Sequence, residues 1–285
     1  MVAGNRPAAV AGTWYPGTAG ALIREVDAYL ADVEIVPQGR LDALVAPHAG
    51  LMFSGPIGAH AYKAAAACGP YAAAILVGPS HFVAFDGVAL YPSGAFESPL
   101  GPAAIDEALG RDLRELSAVI VERPEAHGRE HSLEMQLPFL KRLLPDLPIV
   151  PLLMGFQTRA TIEALADALS RVANDRRVLL VASSDLSHYL DATAAATHDR
   201  RVSSCAAAFD PERLLGLFEQ YPERERGRYV ACGGGPLIAV MLAARRRGAR
   251  EGRVLKYGHS GEVSGDNSGV VGYLAAAFGT FTDVH

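Results

Sequence analysis

The sequence is poor in cysteine, with three residues, Cys68, Cys205 and Cys232, far apart and without a Cys-x-x-Cys pair. Three thiols cannot all pair within one chain, which excludes a disulfide scaffold and points to a reducing, cytoplasmic setting. No apolar run is long enough to span a bilayer, because the longest, around residues 64–77, is broken by Gly69-Pro70. No charged leader followed by an apolar core opens the sequence, so no secretory signal and no membrane partner are expected. An excess of basic charge is also lacking. The formal net charge is −5, which argues against nucleic acid as a partner. The one basic run, Arg245-Arg-Arg-Gly-Ala-Arg250, closes a predicted helix, where the dipole favours cations. Neither a long polar tract nor a solenoid-length repeat is present, so one domain over residues 1–285 is expected.

What is there is apolar: half of the 285 residues are hydrophobic, enough for a large core. Three apolar runs share one design. Residues 41–46 end at Pro47-His48, residues 72–77 at Gly-Pro-Ser-His81, and residues 178–182 at Ser-Ser-Asp-Leu-Ser-His188. Short apolar runs closed by Gly, Pro or Ser read as strands buried on both faces, as in parallel sheets. Helical spacing fills the intervals, at residues 18–33, from Ser54-Gly-Pro56 to about residue 67, and at 106–116, 158–173, 194–208 and 211–219. Pro138 inside the apolar spacing of Leu133, Leu137, Leu140 and Leu144 predicts a kink or a late helix start. Strands alternating with helices give an α/β class with a central mainly parallel or mixed sheet flanked by helices. Ligands of open α/β sheets bind beyond the carboxyl ends of the strands, where the three histidines fall.

Imidazole is both the commonest metal ligand and the side chain suited to proton transfer near neutral pH. Cys232 precedes Gly233-Gly-Gly-Pro and an apolar helix, whose first turn is expected to lower the thiol pKa; a buried small hydrophobe is the plain alternative. Asp185 either orients the His188 imidazole, joins the site, or caps a helix. His131 and Glu134 stand at helical spacing and are expected to share a face, either with His127 as a second metal cluster or as partners of the ligands. Trp14-Tyr15-Pro16-Gly17 is either a pinned surface loop or a pocket wall. His60, His198, His259 and His285 have no comparable setting.

Together these motifs resemble the MEMO family, the second component of the set called AmmeMemoRadiSam. The resemblance runs through Ala11-Gly-Thr-Trp-Tyr-Pro16, Pro47-His-Ala-Gly50 with Tyr62-Lys63, Gly78-Pro-Ser-His81, Glu130-His-Ser-Leu-Glu-Met-Gln-Leu-Pro138, Ser184-Asp-Leu-Ser-His-Tyr189, Cys232-Gly-Gly-Gly-Pro236 and the closing Gly-Asp-Asn-Ser-Gly. It implies a fold similar to class III extradiol dioxygenases, in which two histidines and a glutamate hold Fe(II). By that resemblance His48 and His81 match the histidine ligands, Cys232 the place of the carboxylate, and His188, with Asp185 beside it, the acid/base histidine. Trp14, Tyr15 and His131 are then expected at the substrate pocket. Fe(II) is the implied cofactor, but a thiolate softens the site toward Cu(I) or Zn. Radical-SAM and AMMECR-type proteins are the partners the resemblance suggests. Three functions follow: a non-haem metal-dependent redox enzyme acting on a small molecule, a module binding a peptide or phosphorylated ligand, or a copper-binding chaperone.

Overall fold

Residues 4–172 and 176–282 are described by the structure, a computed structural model. Its strands are β1 (Gln38–Ala46), β2 (Ala73–Pro79), β3 (Val88–Leu90), β4 (Ala95–Phe96), β5 (Ala103–Ala104), β6 (Ile120–Glu122), β7 (Ile149–Met154), β8 (Val178–Ser183), β9 (His188–Leu190), β10 (Glu251–His259) and β11 (Val270–Thr282). Its helices are α1 (Ala19–Ala31), α2 (Leu51–Cys68), α3 (Glu107–Leu116), α4 (Leu137–Leu143), α5 (Arg159–Arg171), α6 (Ala192–Ala207), α7 (Pro211–Glu219), α8 (Glu223–Tyr229), α9 (Gly234–Arg246) and α10 (Gly261–Ser264).

One mixed sheet runs β10-β11-β1-β8-β2-β7-β3-β6, with β9 added on β11. Its centre, β1, β8, β2 and β7, is parallel, and β11 and β3 close it on either side as antiparallel neighbours. The runs are apolar throughout because the side chains alternate between two cores. On β2, Ala73, Ile75 and Val77 face the layer of α3, α5, α6, α7 and α9. Ala74 and Leu76 face the layer of α1, α2 and α4. With both faces covered, a continuous apolar strand is the stable choice. The three histidine-bearing strands, β1, β8 and β2, are consecutive in the sheet and parallel. Strand spacing of about 4.8 Å therefore brings their carboxyl ends within reach of one another.

Several elements depart from the sequence expectation. α2 begins at Leu51, a turn early, so Pro56 lies inside it. Pro138 does mark a late start: a 3₁₀ turn at Glu134–Gln136 precedes α4, with Pro138 in its first turn. α5 is capped by Thr158, whose side chain accepts from the Thr161 N–H; the expected end at Ala173 and the expectation for His285 lie outside the described residues. α8, α10 and β9 carry no apolar periodicity that marks them in sequence. Among the described residues no single helix is long and apolar enough to cross a membrane; α9 is apolar because eleven of its residues are buried.

Because α4 starts late, His131 and Glu134 do not share a helix face. Glu134 is wholly buried, and its carboxylate accepts from Arg6 Nη1 at 2.7 Å, Ala9 N at 2.7 Å, Val10 N at 3.0 Å and the Tyr15 hydroxyl at 2.7 Å. Arg6, also buried, donates onward to the carbonyls of His127 and Glu130. This ion pair ties the N-terminal segment to the loop that carries His131. Removing one partner of a buried pair leaves an uncompensated charge, so Glu134→Ala is expected to lower stability by about 3–5 kcal/mol, read by urea unfolding. Tyr15→Phe, which removes one neutral donor, is expected to cost about 1–2 kcal/mol in the same measurement.

Candidate metal centre

Beyond the carboxyl ends of β1, β8 and β2 lies a hollow of about 590 Å³ lined by His48, His81, His131, Asp185, His188 and Cys232, with Trp14 on its wall and Arg224 and Arg228 at its mouth. The donor atoms of His48, His81 and Cys232 all lie within 4.8 Å of one another, and His48 Nε2 stands 3.2 Å from Cys232 Sγ. Ligands about 2.0–2.3 Å from one ion at a tetrahedral angle stand roughly 3.6 Å apart. Two imidazoles and a thiol at this spacing therefore fit a single metal ion.

Each imidazole is aimed by a partner behind it. His81 Nδ1 donates to Glu130 Oε1 at 2.9 Å. The same carboxylate accepts from the backbone N–H groups of His81, His131 and Ser132, so Glu130 is saturated and stands behind the site. His48 Nδ1 lies 2.9 Å from Ser183 Oγ. That hydroxyl gives its own hydrogen to the Ser132 carbonyl and accepts from Gln136 Nε2, so the His48 nitrogen must donate. Gln136 is oriented in turn by the Tyr62 hydroxyl on its Oε1 and by the Pro47 carbonyl on its Nε2. His188 Nδ1 meets two carbonyls, Leu186 at 2.8 Å and Gly227 at 3.0 Å, which only accept. All three rings thus commit an Nδ1–H to the protein and turn Nε2 toward the hollow.

Cys232 is delivered by the turn before α9. A Cβ on Gly233 would sit 2.3 Å from the Ser183 carbonyl, so only glycine lets this turn rest on the end of β8. On β2, a Cβ on Gly78 would meet Leu133 at 2.8 Å, and its absence admits the 132–133 loop.

Burial pushes the Cys232 thiol up, against the lowering expected from its place before a helix, although the neighbouring His81 favours the thiolate. Burial would also lower His81, but its hydrogen bonds to Cys232 and Glu130 outweigh it and raise His81 to about 10. Burial would raise Glu130, yet its bonds to His81 hold it at about 2. His48 is pushed well below its usual value by burial and by the other histidines, and His131 by burial to about 4, so both are neutral rings. Burial raises Asp185.

The structure brings together His48, His81, Cys232, His188, Asp185, His131 and Trp14, all around the hollow. His131 stacks on His81 at 4.8 Å and meets Trp14 at 4.3 Å. Two expectations are corrected. Tyr15 is buried and does not line the hollow, because its hydroxyl serves Glu134. Asp185 joins the site, its carboxylate within 4.8 Å of the donor atoms of His188 and Cys232, but it does not orient the His188 ring; its Oδ1 accepts from the backbone N–H groups of His48 and Ala49, at 2.8 and 3.3 Å, fixing the turn after β1. Among the described residues His127 joins no metal-ligand group; it lies buried against the Ala89 carbonyl. Sequence reasoning passed over Glu130, Gln136, Ser183 and Tyr62. Three of them stand inside the motifs quoted above, but nothing in their spacing says which carboxylate or amide turns toward the histidines.

A family profile described as Memo-like protein matches residues 6–277. A MEMO1 family protein of Methanopyrus kandleri is 35% identical over 285 residues, covering 96% of this chain and 99% of that one. One from Sulfurisphaera tokodaii is 35% identical over 288 residues, covering 95% and 98%. In structure the chain is similar to an uncharacterized protein of Escherichia coli K12, with a TM-score of 0.57 at 17% identity, covering 84% of this chain and 100% of that one. That likeness concerns the fold.

Loading a metal at this site displaces the His81 and Cys232 protons, so apparent affinity is expected to rise with pH from neutral up to about 10, where His81 loses its proton, as read by competition with a chelator. Glu130→Gln, which leaves His81 without its carboxylate, is expected to weaken that affinity about 10- to 100-fold.

Proposed function

The chain belongs to the Memo-like family, and from that premise we propose that it binds non-haem iron through His48, His81 and Cys232 and carries out redox chemistry on a small molecule in the hollow. The observation that supports this most is the convergence of the donor atoms of His48, His81 and Cys232 within 4.8 Å, with both imidazoles aimed by a partner behind them. Bound there, Fe(II) would supply one-electron redox chemistry, with positions left open by a three-ligand protein set. The volume of about 590 Å³ suits a small organic molecule.

The chain's own residues then have distinct tasks. His188 turns its Nε2 to the hollow, where it can exchange a proton with a bound molecule; its Nδ1–H stays with the two carbonyls. Asp185 holds the His48 turn in register. Trp14 and His131, in tilted ring contact at 4.3 Å, form an aromatic wall of the hollow. A dioxygenase-like reaction is one member of this class, with thiolate in place of the carboxylate.

Copper(I) handling is a second reading, favoured by the thiolate, whose softness suits Cu(I). The two readings separate in one experiment. Protein purified without oxygen is expected to retain about one iron per chain, and Cys232→Ser to lose it, by elemental analysis. His188→Ala is expected to keep the iron and lose about 100- to 10,000-fold in oxygen-dependent turnover. Tight Cu(I) retention with no oxygen uptake in any variant would favour the copper reading.

A further inference from the structure

We propose that Arg224 and Arg228 form a recognition site for an anionic group, so that the hollow takes a small organic anion, a carboxylate or a phosphate monoester. The proposal rests on the small-molecule reading of the hollow and adds the class of molecule.

The charges of α8 are divided between two jobs. Glu223 accepts from the Gln157 N–H at 3.0 Å, and Arg226 donates to the carbonyls of Gln157 and Tyr221, which pins the helix to the loop between β7 and α5. Arg224 and Arg228, four residues apart and hence on one face, both line the hollow. Among the described residues the Arg228 guanidinium has no hydrogen bond or ion pair, only the ring of Tyr229 at 5.6 Å. Arg224 has its chain neighbour Glu225 at 3.9 Å, beyond hydrogen-bond distance, and its side chain is 86% exposed. Asp185, deep inside and committed to the His48 turn, is the one acidic residue lining the hollow. The mouth is therefore cationic in a chain of net charge −5. Two guanidiniums lining a small-molecule hollow, one unpaired and one held only by a long, exposed ion pair, suit charge-assisted, forked binding of a carboxylate or phosphate.

The same helix touches the chemistry. Its Gly227 carbonyl accepts from His188 Nδ1, and Gln157, to which α8 is pinned, donates to the Cys232 carbonyl. An anion held by the two arginines thus docks on the helix that also holds His188 through Gly227.

Trp14 is the one tryptophan of the chain and lies on the wall of the hollow, so its fluorescence reports occupancy. The probes are benzoate, phenyl phosphate and the neutral benzyl alcohol, added to the protein as purified. The preferred anion is expected to bind at least about tenfold more tightly than benzyl alcohol, and to weaken with salt. Stronger binding of benzoate assigns a carboxylate; stronger binding of phenyl phosphate assigns a phosphate. R224A/R228A is expected to bring the anion down to the affinity of benzyl alcohol, whose own affinity stays unchanged, while R224K/R228K keeps part of the preference. The single variants R224A and R228A, each expected to weaken the anion by about threefold or more, serve if the double variant fails to fold. Anions bound no better than benzyl alcohol, or a preference that survives removal of both arginines, would overturn the proposal. Iron content of R224A/R228A is measured alongside: it is expected to match the parent. Loss of metal from the parent protein would defeat the proposed function and leave the anion result standing.

Discussion

Three of the four imidazoles around the hollow commit Nδ1 to the protein, and the rest of the site depends on that. Glu130 takes the proton of His81, Ser183 that of His48, and two backbone carbonyls that of His188. A free histidine distributes its proton between two nitrogens and its ring among rotamers. Here Nδ1 is committed before any ligand arrives, and the Nε2 atoms of His48, His81 and His188 face the hollow that Cys232 also lines. The hydrogen bonds that do this are buried, where leaving a donor or acceptor unmatched is costly. The chain Tyr62–Gln136–Ser183–His48 is satisfied at every atom described above, as is the carboxylate of Glu130.

The sheet makes this economical in chain length. β1, β8 and β2 are neighbours although His81 follows His48 by 33 positions and His188 follows His81 by 107; the connections through α2, between β1 and β2, and through α5, between β7 and β8, bring the chain back to the same edge. The strand interiors contribute nothing but burial, and the chemistry is gathered in the loops that follow them. Cys232 joins from the opposite direction, on a turn that reaches the end of β8 only because Gly233 lacks a side chain.

Much of this was legible in the sequence. The three apolar runs ending in histidine announced parallel strands and the place where their side chains meet, and Cys232 before a glycine turn announced the fourth group. The late start of α4 followed from Pro138. What stayed hidden was which partner each group would find. Glu130 and Glu134 are four residues apart in one polar stretch, and both end up buried. One is saturated by the loop of His81 and the other by Arg6 and the N-terminal segment. Only the tertiary fold separates those fates. Tyr15 was misassigned for the same reason, since a tyrosine beside a pocket tryptophan looks like a pocket residue until its hydroxyl is seen serving Glu134. The direction of the Cys232 shift was misjudged because a helix N-terminus is visible in sequence and burial is not. α8, short and charged, has no periodicity to show it, yet it carries the cationic mouth and one of the carbonyls that hold His188.

The central claim is that two imidazoles and one thiolate share an ion. X-ray absorption at the edge of the metal that the protein retains tests it most directly. The account predicts one sulfur at about 2.3 Å and two imidazole nitrogens at about 2.0–2.1 Å, the lengths such bonds take on zinc, with the sulfur gone in Cys232→Ser. A first shell of oxygen alone, or a sulfur signal that survives that substitution, would contradict it.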